Sequence, residues 1–390
     1  MQLGYTLMTE QSGPKALVDY AVRAERVGFD FEVSSDHYFP WLDTQGHASY
    51  AWSMLGAVAH ATERVGLMTY VTCPTVRYHP AVVAQKAATL GVLSDGRFTL
   101  GLGAGENLNE HVVGERWPAV RERHDMLYEA VEIITQLFSG ELVDYGGEHF
   151  QVDSARVWDL PSDPVEIGVA VSGSKSIEQF APVADHLIAT EPKSEIIEQW
   201  DRVRSGTPLP ASRKIGQIPI SWDTDRDAAI ERAHAQFRWF GLGWPVNANL
   251  PTTQAFESAS AFVTPDDVAS SIPCGPDLDA VVEAVSAYWE AGFTDIALVQ
   301  DGDRAGVAPG PGAGHRRHER LSPSARRRKA AAPVLHIPHW PLLAGRNRLD
   351  ILPTRFAQVT MHVYESRRND QTVTVDHVGV VRTRDRPADS

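Results

Sequence analysis

The chain has 390 residues, of which 43% are hydrophobic and 22% charged, as is usual for a globular protein of one large domain or two average ones. Its net charge of −14 excludes nucleic acid as the main partner, because nucleic-acid binding needs a positive surface that displaces counterions. The absence of a long apolar run, of a secretory signal and of a cysteine framework predicts no membrane span, no metal site and a cytoplasmic location.

The first 302 residues alternate short apolar segments with longer amphipathic ones. The apolar segments are nearly continuous in Val, Ile and Leu, which is typical of strands covered on both faces of a parallel sheet. We predict eight strands: Leu3–Leu7, Phe29–Ser34, Val65–Val71, Arg97–Leu102, Val165–Val171, His186–Thr190, Ile215–Ser221 and Asp295–Val299. Predicted helices between them include Pro14–Val27, Pro80–Leu93, Ala119–Phe138 and Leu278–Ala291. Eight alternating units favour an α/β fold of the (β/α)8 TIM-barrel type over a doubly wound sheet.

Two segments interrupt this alternation. Ser139–Leu160 contains Tyr-Gly-Gly-Glu-His-Phe, which predicts a hairpin inserted after the fourth helix. Arg238–Phe262 is rich in Trp, Gly, Pro and Asn, which predicts a long loop over one end of the barrel. Loops of that length commonly shape a substrate pocket.

The charge sets a domain boundary near residue 302. Residues 303–390 contain 16 Lys and Arg against 8 Asp and Glu, a net charge of +8, whereas residues 1–302 contain 20 against 42, a net charge of −22. The second part is too rich in Pro, Gly and Arg to form the eighth covering helix of a barrel. We expect it to be a disordered tail or the translation of an out-of-frame stretch; a basic arm for an anionic partner is the alternative.

Reactive side chains follow the second and third predicted strands, where barrel enzymes carry their catalytic groups. Asp36 and His37 place a carboxylate beside an imidazole that can exchange a proton near neutral pH, although an isolated His can also simply cap a loop. Trp41 could form a wall for a flat aromatic ligand. Cys73 lies in a Thr- and Pro-rich strand end that could face a planar ring, or could be only a turn before the helix at Pro80.

The fourth and fifth strands end in small residues. Gly101-Leu-Gly-Ala-Gly105 resembles a dinucleotide fingerprint, but Glu106 replaces its third glycine, which excludes the Rossmann interpretation. These glycines still let a ligand approach the backbone, and Glu106 would point into the barrel mouth. Ser172-Gly-Ser-Lys-Ser176 opens a helix whose amides and dipole favour an anion, with an ordinary helix cap as the alternative.

Together these strand ends resemble the luciferase-like superfamily, and within it the F420-dependent glucose-6-phosphate dehydrogenase family, over roughly residues 2–300. The matching stretches are Ser35-Asp-His-Tyr-Phe-Pro-Trp41, Cys73-Pro-Thr-Val-Arg-Tyr78, Gly103-Ala-Gly-Glu-Asn-Leu-Asn-Glu110 and Thr190-Glu-Pro-Lys193. The resemblance implies a luciferase-like barrel that binds the deazaflavin coenzyme F420 and usually forms a homodimer. It also implies an enzyme in which a substrate alcohol loses a proton to a base while its carbon gives a hydride to the deazaflavin.

The resemblance also implies roles for individual residues. His37 and Glu106 would be the proton-transfer pair, with the choice of acid and base left open, and Trp41 would stabilise the charge that develops near the ring. Thr190 and Lys193 would contact the substrate. Cofactor-contacting positions would be Asp36, Cys73, Ala104, Gly105, Asn109, Gly173, Ser174, Ser176 and Ile177.

The chain departs from that family at several positions. Cys73 stands where threonine is common. The sugar-phosphate members bind phosphate with two lysines and an arginine, but here the second lysine falls near Glu257 and the arginine near Ser271. Each lost charge-assisted hydrogen bond is worth about 1.5–3 kcal/mol. We therefore expect a small alcohol or carbonyl compound as substrate rather than glucose 6-phosphate.

Two alternatives stay open. One is an FMN-dependent monooxygenase on the same barrel. The other is a non-catalytic protein that binds a flavin or deazaflavin, against which the presence of His37, Trp41 and Glu106 weighs.

Overall fold

The computed structural model describes residues 1–300. The predicted boundary near residue 302 and the predicted tail of residues 303–390 lie outside the described residues. Within residues 1–300, no helix is long and apolar enough to cross a membrane.

Eight parallel strands close into a barrel, which confirms the predicted fold. They are β1 Gln2–Thr6, β2 Phe31–Ser34, β3 Gly66–Thr69, β4 Phe98–Leu102, β7 Glu166–Ala170, β8 His186–Ile188, β9 Lys214–Ile220 and β10 Asp295–Gln300. Neighbours pair in chain order, and β1 pairs with β10 to close the barrel. Every barrel strand lies within two residues of its predicted bounds, because nearly continuous apolar runs mark strands that are covered on both faces.

Helices alternate with the strands around the outside. They are α1 Pro14–Val27, α2 Ala51–Ala61, α3 Pro80–Leu93, α4 Asn107–Glu110, α5 Val120–Leu137, α6 Ser174–Phe180, α7 Ser194–Arg204, α8 Arg226–Phe237, α9 Trp244–Asn247, α10 Thr253–Ala259, α11 Pro265–Ser271 and α12 Leu278–Glu290. Both α1 and α3 begin with proline in the first turn, where the missing N–H has no helical partner to lose.

The predictions for the two segments that interrupt the alternation differ in outcome. The inserted hairpin is present as the antiparallel pair β5 Val143–Gly146 and β6 Gln151–Ala155, as predicted. The prediction of a long loop over Arg238–Phe262 is wrong, because this segment contains a 3-10 helix at Arg238–Leu242 followed by α9 and α10. Its Gly and Thr residues lie at helix boundaries instead: Gly243 precedes α9 with a φ of 79°, and the Thr252 hydroxyl caps α10.

The barrel is filled by side chains from its own strands. Phe31, Val33, Met68, Ile188 and Ile215 form an interior cluster, so the barrel is a packed core and not a pore. Outward-facing residues of the same strands, such as Leu67 and Leu100, pack against the surrounding helices. His37, Cys73 and Glu106 come from the segments that follow the strands, at the carboxyl end of the barrel.

Candidate active site

His37 lies between two carboxylates. Its side chain follows β2 and is 7% exposed. Its Nδ1 lies 3.1 Å from the carbonyl oxygen of Phe39 and 3.3 Å from Oε1 of Glu10. Its Nε2 lies 3.7 Å from Oε2 of Glu106. Since a carbonyl oxygen can only accept, the proton of a neutral imidazole is held on Nδ1, and Nε2 is the nitrogen that can take up a proton.

Glu10 was not among the predicted site residues. It follows β1 and is buried, and its carboxylate accepts hydrogen bonds from the hydroxyl of Ser35 at 2.8 Å and of Thr9 at 3.1 Å. Its carboxylate lies beside Nδ1 of His37 and can accept the proton that this nitrogen donates. The available signal was its place just after the first strand, the same kind of position that identified Glu106.

Glu106 is held by Asn109. Glu106 precedes α4 and is 18% exposed, and its Oε2 accepts a hydrogen bond from Nδ2 of Asn109 at 3.0 Å. The Oδ1 of Asn109 accepts from the backbone N–H groups of Tyr38 at 2.8 Å and Phe39 at 3.2 Å. Asn109 thus joins the segment after β4 to the segment that carries His37.

Trp41 stands beside His37 in an aromatic stack. Its ring centroid lies 4.9 Å from that of His37 at an interplanar angle of 56°. On its other side Trp41 stacks on Trp239, with centroids 4.1 Å apart and planes 9° apart, and meets the edge of Phe256 at 5.1 Å. Trp239 comes from the 3-10 helix Arg238–Leu242, so the segment predicted as a loop does reach the site.

Asp36 is fully engaged by other side chains. Its buried carboxylate accepts from Nε1 of Trp52 and from the hydroxyl of Thr72, both at 2.9 Å. The hydroxyl of Tyr78 and the guanidinium of Arg77 each lie 3.3 Å from Oδ1. The Asp36 side chain therefore fixes the segment that carries His37.

The ends of β3 and β4 meet closely at Cys73 and Gly105. Cys73 is buried, its Sγ lies 2.9 Å from the hydroxyl of Thr75, and burial raises the pKa of its thiol. Gly105 has a φ of 82°, and a Cβ there would lie 2.4 Å from the Cys73 sulfur. Only glycine fits this position without strain. Ala104 packs, partly buried, against the core.

Some residues of the predicted anion site after β7 are exposed and others are buried. Ser176 is buried, and its hydroxyl accepts from the N–H groups of Ser172 at 3.3 Å and Gly173 at 3.4 Å. Ile177 is also buried. Ser174 is exposed and donates to Oε1 of Gln199, while the space in front of Gly173 is open.

The predicted substrate-contacting residues lie on the surface after β8. Thr190 and Lys193 are both exposed, and the ammonium of Lys193 lies 2.6 Å from the carboxylate of Glu191. Glu257 forms an ion pair with Arg238 at 3.6 Å, and Ser271 donates to the carbonyl of Asp267.

The geometry thus supports proton transfer at Nε2 of His37, with carboxylates on both sides and an aromatic wall beside it. Among residues 1–300, no group of three or more His, Cys, Asp and Glu side chains is arranged to hold a metal ion.

Comparison with known proteins gives consistent matches. The profile of the luciferase-like monooxygenase family matches residues 1–295. F420-dependent glucose-6-phosphate dehydrogenases of Segniliparus rotundus and Beutenbergia cavernae are 35% and 37% identical to the chain, and each alignment covers 76% of this chain and 91% of the relative. An F420-dependent secondary alcohol dehydrogenase, solved with an F420–acetone adduct, superposes with a TM-score of 0.72 at 29% identity, covering 77% of this chain and 93% of that one.

Proposed function

This chain belongs to the luciferase-like monooxygenase family, and on that basis we propose that it is an F420-dependent oxidoreductase acting on a small alcohol or carbonyl compound. The observation that carries the proposal is the position of His37 between Glu10 and Glu106, beside the Trp41 ring. In an alcohol dehydrogenation the cofactor accepts the hydride and a side chain of the protein accepts the proton. These side chains are suited to that proton transfer.

The strand ends fit a flat, anionic cofactor. Gly105 has no side chain and lets the segment after β4 pack directly against the Cys73 side chain, and the space at Gly173 is open. Residues that would hold F420 are the predicted set around Asn109, Gly105 and Ser176. When bound, F420 supplies a ring that accepts or gives a hydride.

His37 takes the proton of the substrate hydroxyl at Nε2. The carbonyl oxygen of Phe39 and the carboxylate of Glu10 both face Nδ1, so they stabilise the imidazolium that this step forms. Glu106, oriented by Asn109, is the second proton-transfer group. Trp41 and Trp239 form an apolar wall next to these groups and limit the access of water.

We also propose that the substrate carries no phosphate. Lys193 is paired with Glu191, and Arg238 is paired with Glu257, so neither cation has its full charge available for a dianion. The aromatic wall of Trp41, Trp239 and Phe256 favours an apolar substrate body. The relatives from Segniliparus rotundus and Beutenbergia cavernae are named glucose-6-phosphate dehydrogenases, so this is the point to test first.

A cofactor titration followed by a substrate panel tests the proposal. We expect F420 to bind, and propan-2-ol and similar alcohols to reduce it faster than glucose 6-phosphate does, with His37→Asn as the inactive control. Preferential turnover of glucose 6-phosphate would overturn the substrate assignment. Tight binding of FMN without binding of F420 would instead support a monooxygenase. The proposal includes a homodimer, to be tested by sedimentation, and a cytoplasmic location.

A further inference from the structure

Arg77 lies behind the proton-transfer groups and contacts both segments that carry them. We infer that Arg77 is a positioning residue, which sets the separation of His37 and Glu106 by joining the segment after β2 to α4. The inference deepens the proposed function and rests on it for the roles of His37 and Glu106.

The contacts of Arg77 reach in two directions. Its Nη2 donates to the carbonyl oxygen of Asp36 at 2.6 Å and lies 3.3 Å from Oδ1 of the same residue. Its backbone N–H donates to Oε2 of Glu110 at 2.7 Å, and its Nε lies 3.4 Å from Oε1 of Glu110. The guanidinium also lies over the Tyr78 ring, 4.5 Å from its centroid. The side chain is only 7% exposed, so these contacts are shielded from water.

Both partners of Arg77 are next to site residues in the chain. Asp36 precedes His37, and Glu110 follows Asn109, which binds both Glu106 and the N–H groups after His37. The two segments are therefore joined twice, once by Asn109 in front and once by Arg77 behind. A single connection would allow one segment to rotate against the other. Two separate connections resist this rotation.

The charges make Arg77 difficult to replace. One guanidinium faces two buried carboxyl groups, Asp36 and Glu110, and its planar shape allows contacts along separate edges. Removal of Arg77 would leave the buried Asp36 carboxylate without its counter-charge and Glu110 without its guanidinium contact, which is strongly unfavourable. We expect the segments to move apart to reach water. A lysine could approach only one of the two carboxyls closely.

Arg204 provides a matched control. It is a buried arginine at the end of α7, and its guanidinium donates to the backbone carbonyl groups of Ala181, Ala184 and Pro210. Its contacts are likewise shielded, but they lie among α6, α7 and the following segment. Arg204→Met should therefore reduce stability without acting on His37 or Glu106.

The test compares Arg77→Met, Arg77→Lys and Arg204→Met in the full chain. Hydrogen exchange is measured at the amides of residues 36–39, 41 and 106–111, with F420 bound and without it. We expect Arg77→Met to speed exchange in both segments by about tenfold or more, and Arg77→Lys to speed it mainly in one. Arg204→Met should leave both segments unchanged.

Turnover provides the second readout. With the best alcohol of the panel, Arg77→Met should lower kcat by about 100-fold, since a displacement of about 1 Å can cost that much, with a smaller change in KM. If none of the alcohols in the panel reduces F420 in the presence of the wild type, the proposed function fails. The exchange data then still decide the role of Arg77. The inference is overturned if Arg77→Met changes only the melting temperature, as Arg204→Met does. If Arg77→Met does not fold, unchanged exchange of both segments in Arg77→Lys overturns it equally.

Discussion

Nε2 of His37 lies 3.7 Å from Oε2 of Glu106, slightly beyond hydrogen-bond distance. Catalytic hydrogen bonds are often long before substrate binds and shorten in the reacting complex. In the proposed function, one substrate oxygen would lie between the two groups. We therefore expect the pair to share the proton transfer, with His37 contacted by Glu10 and Glu106 by Asn109.

Removal of either member of the pair should abolish turnover and spare cofactor binding. We expect His37→Asn and Glu106→Gln each to lower kcat by about 100- to 10,000-fold, the usual contribution of a positioned acid or base. The dissociation constant of F420, measured by fluorescence, should change far less, because both substitutions are close in size to the original side chains. Equal losses of binding and turnover would show that these residues hold the cofactor rather than transfer protons.

Glu10 should contribute to catalysis through His37. Glu10→Gln keeps the size of the side chain but removes the charge that stabilises the imidazolium, so kcat should fall by about tenfold or more while KM changes little. Glu25→Gln is the matched control, since Glu25 is also buried but accepts from the backbone N–H groups of residues 63–65. Similar kinetic effects of the two variants would remove Glu10 from the mechanism.

The sequence predicted the barrel well because covered strands leave a nearly continuous apolar run. It could not reveal which distant residues the side chains of the site contact. Asn109 and Phe39 are 70 positions apart, and only the closed barrel brings them together. Glu10 was missed because one carboxylate after a strand does not differ from a solvated one until Ser35 is seen to bind it. The segment Arg238–Phe262 was predicted as a loop because its Gly and Pro residues lie at the ends of very short helices.

The stack of Trp239 on Trp41 should affect substrate binding more than the chemical step. Trp239→Ala removes a ring contact worth about 0.5–1.5 kcal/mol beyond its buried area. KM for the best alcohol should rise several-fold or more, with a smaller change in kcat. Trp158→Ala is the control, because Trp158 is 78% exposed. A fall in kcat alone would mean instead that Trp239 acts by holding Trp41 against His37.

Gly105 should be required for the close contact of the two strand ends. Gly105→Ala would place a Cβ 2.4 Å from the sulfur of Cys73, at a φ of 82° that alanine rarely adopts. Gly114→Ala isolates the backbone effect, because Gly114 has a φ of 80° and no heavy atom within 4 Å of the added Cβ. We expect F420 affinity to fall by more than about tenfold in Gly105→Ala only. Partial recovery of F420 affinity in the double variant Gly105→Ala/Cys73→Ala would identify the contact with the sulfur as the cause of the loss.

Glu110 should make stability fall as the pH rises towards neutrality. Burial raises its pKa from the ordinary 4.5 to about 7 and outweighs the attraction of Arg77, so between these values the folded chain holds a proton that the unfolded chain has released. Stability gained from that proton is lost as the pH rises through this range. At one pKa unit per about 1.36 kcal/mol, the loss is about 3 kcal/mol.

Glu110→Gln cannot lose a proton and should lack this dependence. The measurement is the free energy of unfolding in urea for both proteins at intervals from pH 4.5 to 8. The wild type should lose stability relative to the variant as the pH rises, with the change complete just above pH 7. A constant difference across the range would mean that Arg77 keeps the Glu110 carboxylate ionised throughout. The buried cluster behind His37 would then carry two negative charges against one positive charge.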